Sequence, residues 1–170
     1  MHLRRTIALG TGAIALFALT SCGFNYATDR PYTPANGVNN RDASVDILNA
    51  VVVSAEEGSG TFVASFSNND EDNAATFDGL EPVEEGAFTT DDFEPVEIPA
   101  GGLVNLANDG GVGVTGDFAA GDFVEMLVVV NGERVEMDVH VITNCGDFEG
   151  LDGPSDPEQC EPETEEPAEH

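Results

Sequence analysis

The sequence predicts an all-β protein with the architecture of an antiparallel β-sandwich. Short runs rich in Val, Ile, Phe and Thr recur through residues 44–152, and Gly, Pro and Asn separate them. No run longer than a few residues has the apolar spacing of a helix. Asn131-Gly132 joins the two strongest runs, and this dipeptide is typical of a two-residue hairpin turn. Several short strands joined by such turns in roughly 100 residues favour a sandwich.

Each predicted strand follows from a short apolar or alternating run. Thr61–Phe66 alternates, with apolar residues at positions 62, 64 and 66, whereas Ala50–Val53 is continuously apolar. Phe123–Val130 and Arg134–Ile142 are the longest runs. The remaining predicted strands are Val45–Leu48, Ala75–Phe77, Val96–Ile98, Leu103–Leu106 and Val112–Val114.

The Asn131-Gly132 turn fixes the register of the last two strands. Because side chains alternate between the two faces of a strand, this register places Met126 directly opposite Met137 on the core face. We therefore expect this pair to fill core space. The outer face is predicted to carry Glu125 opposite Asp138, Leu127 opposite Glu136, and His140 near Phe123.

Residues 1–21 have the layout of a bacterial lipoprotein signal peptide. Arg4 and Arg5 give a basic start, and Thr6–Leu19 is an uncharged run of fourteen residues. Such a run is too short to span about 30 Å of hydrocarbon as a helix. Small residues then lead into Cys22, whose thiol can take a diacylglyceryl group. We expect a lipid anchor at Cys22 on the extracytoplasmic face of the cell membrane; the alternative is a plain secretory signal with a chance cysteine.

The rest of the chain divides into three parts by composition. Residues 22–43 are polar and lack an apolar period, so we expect a flexible, lipid-anchored tether. Residues 44–152 are the predicted β-sandwich domain. Residues 153–170 form an acidic tail, rich in Pro and Glu, that cannot bury enough surface to order itself. Cleavage before Cys22 leaves 149 residues, the size of one ordinary domain plus tails.

The mature chain is strongly acidic. It keeps three arginines, no lysine and 33 Asp or Glu residues, which gives a formal charge of −30. Such a surface repels nucleic acid and anionic lipid headgroups, so binding to either through basic patches is excluded. We expect cations to gather at the acidic surface and screen its self-repulsion, as in a salt-adapted or cation-rich exterior. The alternative is that most of the charge lies in disordered tails.

Cys145 and Cys160 remain as an even pair once Cys22 is committed to lipid. In an oxidising compartment such a pair can close one loop, and we expect a disulfide between them. A two-thiol metal site is the alternative, although no second soft ligand lies close to either cysteine in the sequence.

The sequence gives little support to catalysis or to calcium binding. A nucleophile needs an adjacent base, and the mature chain has only His140 and His170, so we expect no enzyme. Residues 68–73 pack oxygen ligands suited to Ca²⁺ into a turn. However, Asn73 stands where an EF-hand needs Gly, and Gly79 stands where it needs Glu. We therefore prefer a solvated acidic loop.

Met126, Met137 and His140 are the candidate copper ligands, because Cu(I) prefers thioether and imidazole donors. His140 lies three residues from Met137, so the two side chains are expected on opposite faces of the strand. The three cannot converge on one ion without a β-bulge, and none is assigned as a ligand.

Several segments together resemble the periplasmic copper chaperone (PCuAC-like) family. They are Val96–Ala107, Gly110-Gly111 and Ala120–Val124, followed by a β-hairpin, and Phe62–Asn69 fits the family's second strand. The resemblance covers roughly residues 44–142 and is stronger to the actinobacterial lipoprotein branch typified by LpqE. It implies a Greek-key, cupredoxin-like sandwich, in agreement with the predicted strands.

The copper ligands of that family are not retained. Its site uses a His-Met pair, a later Met, and a closing His-x-Met soon after the Gly-Gly. This chain has no His or Met between His2 and Met126, and Val112-Gly113-Val114 stands at the closing motif. The resemblance therefore implies the fold and no copper ligand. We expect a vestigial apolar patch there, or a surface reused for a partner.

The predicted function is that of a lipid-anchored, extracytoplasmic lipoprotein that acts as an envelope binding or accessory module, with a protein partner in the envelope and no cofactor. The alternative is a metal-handling protein, either a copper chaperone with atypical ligands or a weak binder of divalent cations. The missing Met and His set favours the first.

Overall fold

Ten β-strands and two 3₁₀ helices make up the described part of the chain, which in the computed structural model is residues 37–157 and residue 160. The predicted signal peptide, Cys22, residues 22–36 of the tether and most of the tail lie outside these residues. No helix in the described part is long and apolar enough to span a membrane. The strands are β1 (Val38–Asn40), β2 (Val45–Glu56), β3 (Ser59–Asn68), β4 (Ala75–Pro82), β5 (Phe88–Thr90), β6 (Val96–Ile98), β7 (Leu103–Asn105), β8 (Val112–Gly116), β9 (Phe123–Val130) and β10 (Glu133–Thr143); the 3₁₀ helices are Leu106–Asp109 and Gly146–Phe148.

The strands form one curled, mostly antiparallel sheet in the order β5-β8-β3-β2-β10-β9-β4-β6. β1 pairs with β2, and β7 pairs with β3, beside this path. The all-β prediction is confirmed. One pairing departs from the antiparallel prediction, since β10 runs parallel to β2 with His140–Thr143 against Val51–Ser54. No local turn joins these two strands, so no sequence signal specified their direction.

The β9–β10 hairpin has the predicted register, with Met126 opposite Met137 and Glu125 opposite Asp138. Asn131 and Gly132 both have positive φ, at 50° and 73°, as a type I′ turn requires. The turn also contacts β4, since the Asn131 side-chain oxygen accepts a hydrogen bond from the Thr76 N–H at 2.9 Å. The backbone conformation of this dipeptide therefore fixes which residues of both strands face inwards.

Valines, phenylalanines and the methionine pair fill the core. Met126 is fully buried and Met137 is 6% exposed, which confirms the predicted core pair. Phe66 and Phe77 stack with their ring centroids 4.8 Å apart, and the rings of Phe62 and Phe93 also stack against Phe77. Offset aromatic contacts of this kind add to the free energy that comes from burying apolar area.

The central strand β2 is buried on both faces, which explains its continuous apolar run. Val51 and Val53 point away from the main core and join Val63 of β3 in a second apolar cluster. Phe148 and Leu151, which follow β10, cover this cluster. The segment of residues 144–153, here called the strap, therefore belongs to the folded domain.

A buried asparagine and an aspartate hold the strap against the sheet. The side-chain oxygen of the buried Asn144 accepts a hydrogen bond from the Gly150 N–H at 2.9 Å. The Asp152 carboxylate accepts two more, from the Ala55 N–H at 2.8 Å and from the Thr61 hydroxyl at 2.9 Å. These bonds satisfy polar groups that would otherwise be buried without partners at the end of β2.

A disulfide joins Cys145, at the start of the strap, to Cys160, with Cα atoms 5.5 Å apart. This is the pairing expected from the sequence. The bridge ties the first part of the predicted tail to the last turn of the domain.

The folded domain begins earlier than predicted. Residues 38–40, placed in the tether (22–43) by the sequence, form β1 and pair with β2. Asn49 fixes this pairing: its side-chain oxygen accepts from the Gly37 N–H at 3.1 Å, and its own N–H donates to the Asn39 side chain at 2.8 Å. Asn49 lies at a β-bulge with φ of 52°, a conformation that Asn tolerates. A three-residue strand with a single apolar residue, Val38, has no apolar period, so the sequence could not reveal it.

The bulge also joins two predicted strands into one. Val45–Leu48 and Ala50–Val53 are parts of β2, and the register against β3 shifts between them. β5 (Phe88–Thr90) was not predicted, because only Phe88 within it is apolar. It pairs with β8 at the edge of the sheet.

Removing the disulfide should destabilise the domain. In the Cys145→Ser/Cys160→Ser variant we expect the free energy of unfolding to fall by about 3 kcal/mol, because the unfolded chain regains the entropy of a 15-residue loop. Urea unfolding followed by far-ultraviolet circular dichroism measures this change. Reduced wild-type protein should unfold with the variant's midpoint, and equal midpoints for variant and oxidised wild type would contradict the stabilising role.

Candidate functional site

The outer face of β9 and β10 carries an exposed aromatic side chain held by a histidine. Phe123 is 63% exposed. Its ring stacks on the imidazole of His140, with centroids 4.9 Å apart and planes inclined by 16°. Beside this pair on the same face, the exposed Glu125 and Asp138 lie directly opposite each other. The sequence predicted all four placements from the hairpin register.

An open groove of about 590 Å³ lies next to Phe123, where the outer face meets the loops that follow β4 and β8. Phe118 and Val124, both largely buried, form part of its apolar lining together with Ala87. Four carboxylates line it as well: Glu84, Asp117, Glu125 and Asp138. We call this feature the acidic groove.

The sequence did not reveal the far wall of the acidic groove. Glu84 and Ala87 come from the turn between β4 and β5, and Asp117 and Phe118 follow β8. Sequence separations of more than thirty residues divide Glu84 from Asp117 and Val124. The pairing of β5 with β8 places Phe88 opposite Gly116, and the pairing of β4 with β9 places Pro82 opposite Met126, so these pairings bring the two loops to β9.

Charge compensation is sparse in the folded domain. Seven of the 33 acidic residues lie outside the described residues, so 26 belong to the described part, which contains only Arg41 and Arg134 as strong cations. The charge therefore lies mainly on the domain and not in the tails. Arg41 pairs with Asp46 at 2.9 Å, and Arg134 makes a two-point contact with Glu81 at 2.7 and 3.0 Å.

Both arginines therefore form ion pairs with carboxylates that do not line the acidic groove. The hydrogen bond from Arg134 lowers the pKa of Glu81 below its ordinary value, and the same bond raises the pKa of Arg134. Among the described residues, neither arginine forms an ion pair with a carboxylate of the groove. An incoming cation would therefore find these carboxylates without a competing partner in this part of the chain.

The three copper candidates do not converge. Met126 and Met137 face the core, whereas His140 lies half-buried on the outer face against Phe123. The strand runs without a bulge between Met137 and His140, so they stay on opposite sides. No group of three or more His, Cys, Asp or Glu suited to a metal ion occurs in the described residues.

The valines at the family's closing copper motif belong to the core. Val112 and Val114 are each 3% exposed and pack in the main hydrophobic cluster. A side chain in place of Gly113 would collide with the Asp91 carboxyl group. This position is apolar, as expected, but β8 turns both valines inwards, so they offer little surface to a partner.

The acidic loop after β3 uses its oxygens for its own turn. The Asp70 carboxylate accepts hydrogen bonds from the backbone N–H groups of Asp72 and Asn73 and from the Asn73 side chain, at 2.8–3.0 Å. These bonds lower the pKa of Asp70, with the Asn73 side chain as the largest cause. The buried Asn68 amide closes the loop on the Asn73 carbonyl at 2.8 Å.

The curled sheet defines a β-domain with the PCuAC-like, cupredoxin-like fold. It is similar to a copper-bound PCuAC domain from PmoF2 (15% identity, TM-score 0.50), to the apo PmoF2 PCuAC domain (13%, 0.50) and to an apo PCuAC domain from PmoF1 (16%, 0.51). These matches cover 62–64% of this chain and 98–99% of those domains. No protein-family model and no curated protein matches the chain. At such identities the likeness establishes the fold and does not transfer the copper of the first structure.

The Glu81–Arg134 contact should make stability depend on pH in a defined direction. Since the folded-state pKa of Glu81 lies below its ordinary value of 4.5, the contact stabilises the fold above pH 4.5. This stabilisation is lost as the pH falls through the folded-state pKa. We expect Glu81→Gln to melt at a lower temperature than wild type near neutral pH, with the difference vanishing in acid.

Thermal melts of both proteins across that pH range measure the difference. Glu97→Gln is the matched control, because Glu97 is exposed and has no arginine partner among the described ion pairs. Its melting temperature should not show the same convergence with wild type. A Glu81→Gln difference that stays constant into acid would contradict the assignment.

Proposed function

We propose that this chain is a lipid-anchored, non-catalytic binding module at the extracytoplasmic face of the cell membrane. The proposal places it in the LpqE-like lipoprotein branch of PCuAC-like proteins, without that family's copper site. One observation carries it: the domain has the PCuAC-like fold, yet Val112 and Val114 occupy the closing copper motif and are buried in the core. Such side chains offer no donor to a soft metal ion.

The sequence supports the membrane part of the proposal. Residues 1–21 would act as the lipoprotein signal peptide, and the Cys22 thiol would carry the lipid. Acyl chains contribute about 0.8 kcal/mol per buried CH₂ to membrane binding, so a lipidated Cys22 would hold the domain at the bilayer. The tether would then run from Cys22 to β1, which shortens it to about fifteen residues.

The negative charge of the domain argues against direct binding to anionic lipid headgroups. Its 26 carboxylic residues against two arginines would repel an anionic bilayer. Lipid anchoring through Cys22 would therefore act alone in membrane attachment, and the domain surface would remain free for a partner in the envelope.

Lipidation of Cys22 can be tested directly. In a bacterial host fed an alkyne analogue of palmitate, wild-type chain should incorporate the label and sediment with membranes, whereas Cys22→Ala should do neither. Cys145→Ser/Cys160→Ser is the matched control, since it removes the other two cysteines without touching the signal segment, and it should still incorporate label. Labelled Cys22→Ala would exclude the proposed anchor.

Metal titration tests the loss of the copper site. The chain from Gly23 to His170, which lacks the Cys22 thiol, is titrated with Cu(I) under a competing chelator and separately with Ca²⁺, and it should form no 1:1 complex tighter than micromolar. The physical reason is that the two core methionines and the outer His140 cannot reach one ion. A tighter Cu(I) complex that disappears in Met126→Leu would instead establish the metal-handling alternative, because that substitution keeps the core volume and removes a thioether.

A further inference from the structure

The acidic groove has both features of a protein-docking surface, an exposed aromatic anchor and an uncompensated charge. We propose that it docks a segment of a partner protein that carries arginine or lysine side chains. This inference rests on the proposed function, because it names the surface through which the binding module would act.

Phe123 supplies the first observation, and it does not depend on charge. A phenylalanine that is 63% exposed on a strand gains little from the core, yet its ring is held in place by the stack on His140. The small exposed parts of Phe118 and Val124 line the groove beside it. A cavity of about 590 Å³ is large enough for the side chains of a short segment, since ligand pockets commonly measure about 300–1,000 Å³.

Glu125 and Asp138 supply the second observation. They are opposite each other in the β9–β10 register, and like charges placed directly opposite across strands destabilise a sheet. Glu84 and Asp117 bring two more carboxylates to the same groove. A cation inserted among them would convert repulsion into charge-assisted hydrogen bonds.

The chemistry of the groove selects the occupant. A guanidinium can stack on an exposed phenyl ring and bond carboxylates with the same plane of N–H groups, and the methylene stems of Arg and Lys can cover apolar lining. A bare metal ion would use only the carboxylates, and the described residues contain no cluster suited to one. A second copy of this chain would bring the same strong negative charge and be repelled.

Fluorescence anisotropy with a labelled peptide tests the inference. The probe is an octapeptide of alternating Arg and Gly, and its matched control replaces each Arg by citrulline, which keeps the shape and removes the charge. The full-length chain in dodecyl maltoside should bind the Arg peptide and not the citrulline peptide. Phe123→Ala should weaken binding about three- to fivefold, the loss expected for one cation–π contact.

The charged wall is tested with substitutions that keep shape. Glu125→Gln/Asp138→Asn should weaken Arg-peptide binding about three- to tenfold, as expected for two exposed charge contacts. Glu71→Gln/Glu97→Gln removes the same charge from exposed positions outside the groove and should change binding less than about twofold. Unchanged circular dichroism spectra confirm that all variants are folded.

Three results would overturn the inference: no binding of the Arg peptide, equal weakening by the groove and control pairs, or binding indifferent to Phe123→Ala. Equal weakening would assign the binding to diffuse acidity. The outcome is independent of the Cys22 labelling and the Cu(I) titration, because the assay measures peptide binding without a membrane and without added metal. Failure of the docking surface and failure of the proposed function are therefore read separately.

Discussion

The in-register β9–β10 hairpin is the constraint on which the rest of the structure depends. The two-residue turn fixes the pairing register of both strands. Because side chains alternate along a strand, this register determines which of them face the core. That single alternation buries Met126 and Met137 and places Phe123, His140 and the Glu125–Asp138 pair outside. A shift of the strand pairing by one residue would exchange the core-facing and outward-facing side chains of one strand. The observed register therefore keeps Met126 and Met137 apart from His140, so that they cannot bind one metal ion, and it also determines which side chains lie on the outer face.

The parts that the sequence predicted are those whose signals are local. The hairpin register followed from Asn131-Gly132, and the strands followed from short apolar runs. The parts it missed depend on partners distant in the sequence. β1 depends on the bulge at Asn49, and the parallel pairing of β2 with β10 is not formed by a local turn. The far wall of the acidic groove is formed by two loops that are remote from the hairpin in the sequence. Half of the candidate site could therefore be predicted, namely the half that lies on the hairpin itself.

Charge sets the second condition on this fold. Twenty-six carboxylic residues against two arginines repel one another, and the continuous apolar core must offset that repulsion. The two arginines form defined ion pairs, Arg134 with Glu81 and Arg41 with Asp46. Other carboxylates accept hydrogen bonds from the domain, as Asp70 does within its own turn and Asp152 does from Ala55 and Thr61.

The PCuAC-like fold and a copper site at Val112 and Val114 are separable here for a steric reason. Val112 and Val114 are not exposed positions at which a metal ligand could simply be introduced. Both side chains are packed in the main core. An imidazole or thioether at either place would have to displace packed neighbours or bury a polar ring without a partner, both of which cost stability. Recovering a copper site would therefore require repacking the core, whereas the outer face of the hairpin can change its chemistry freely.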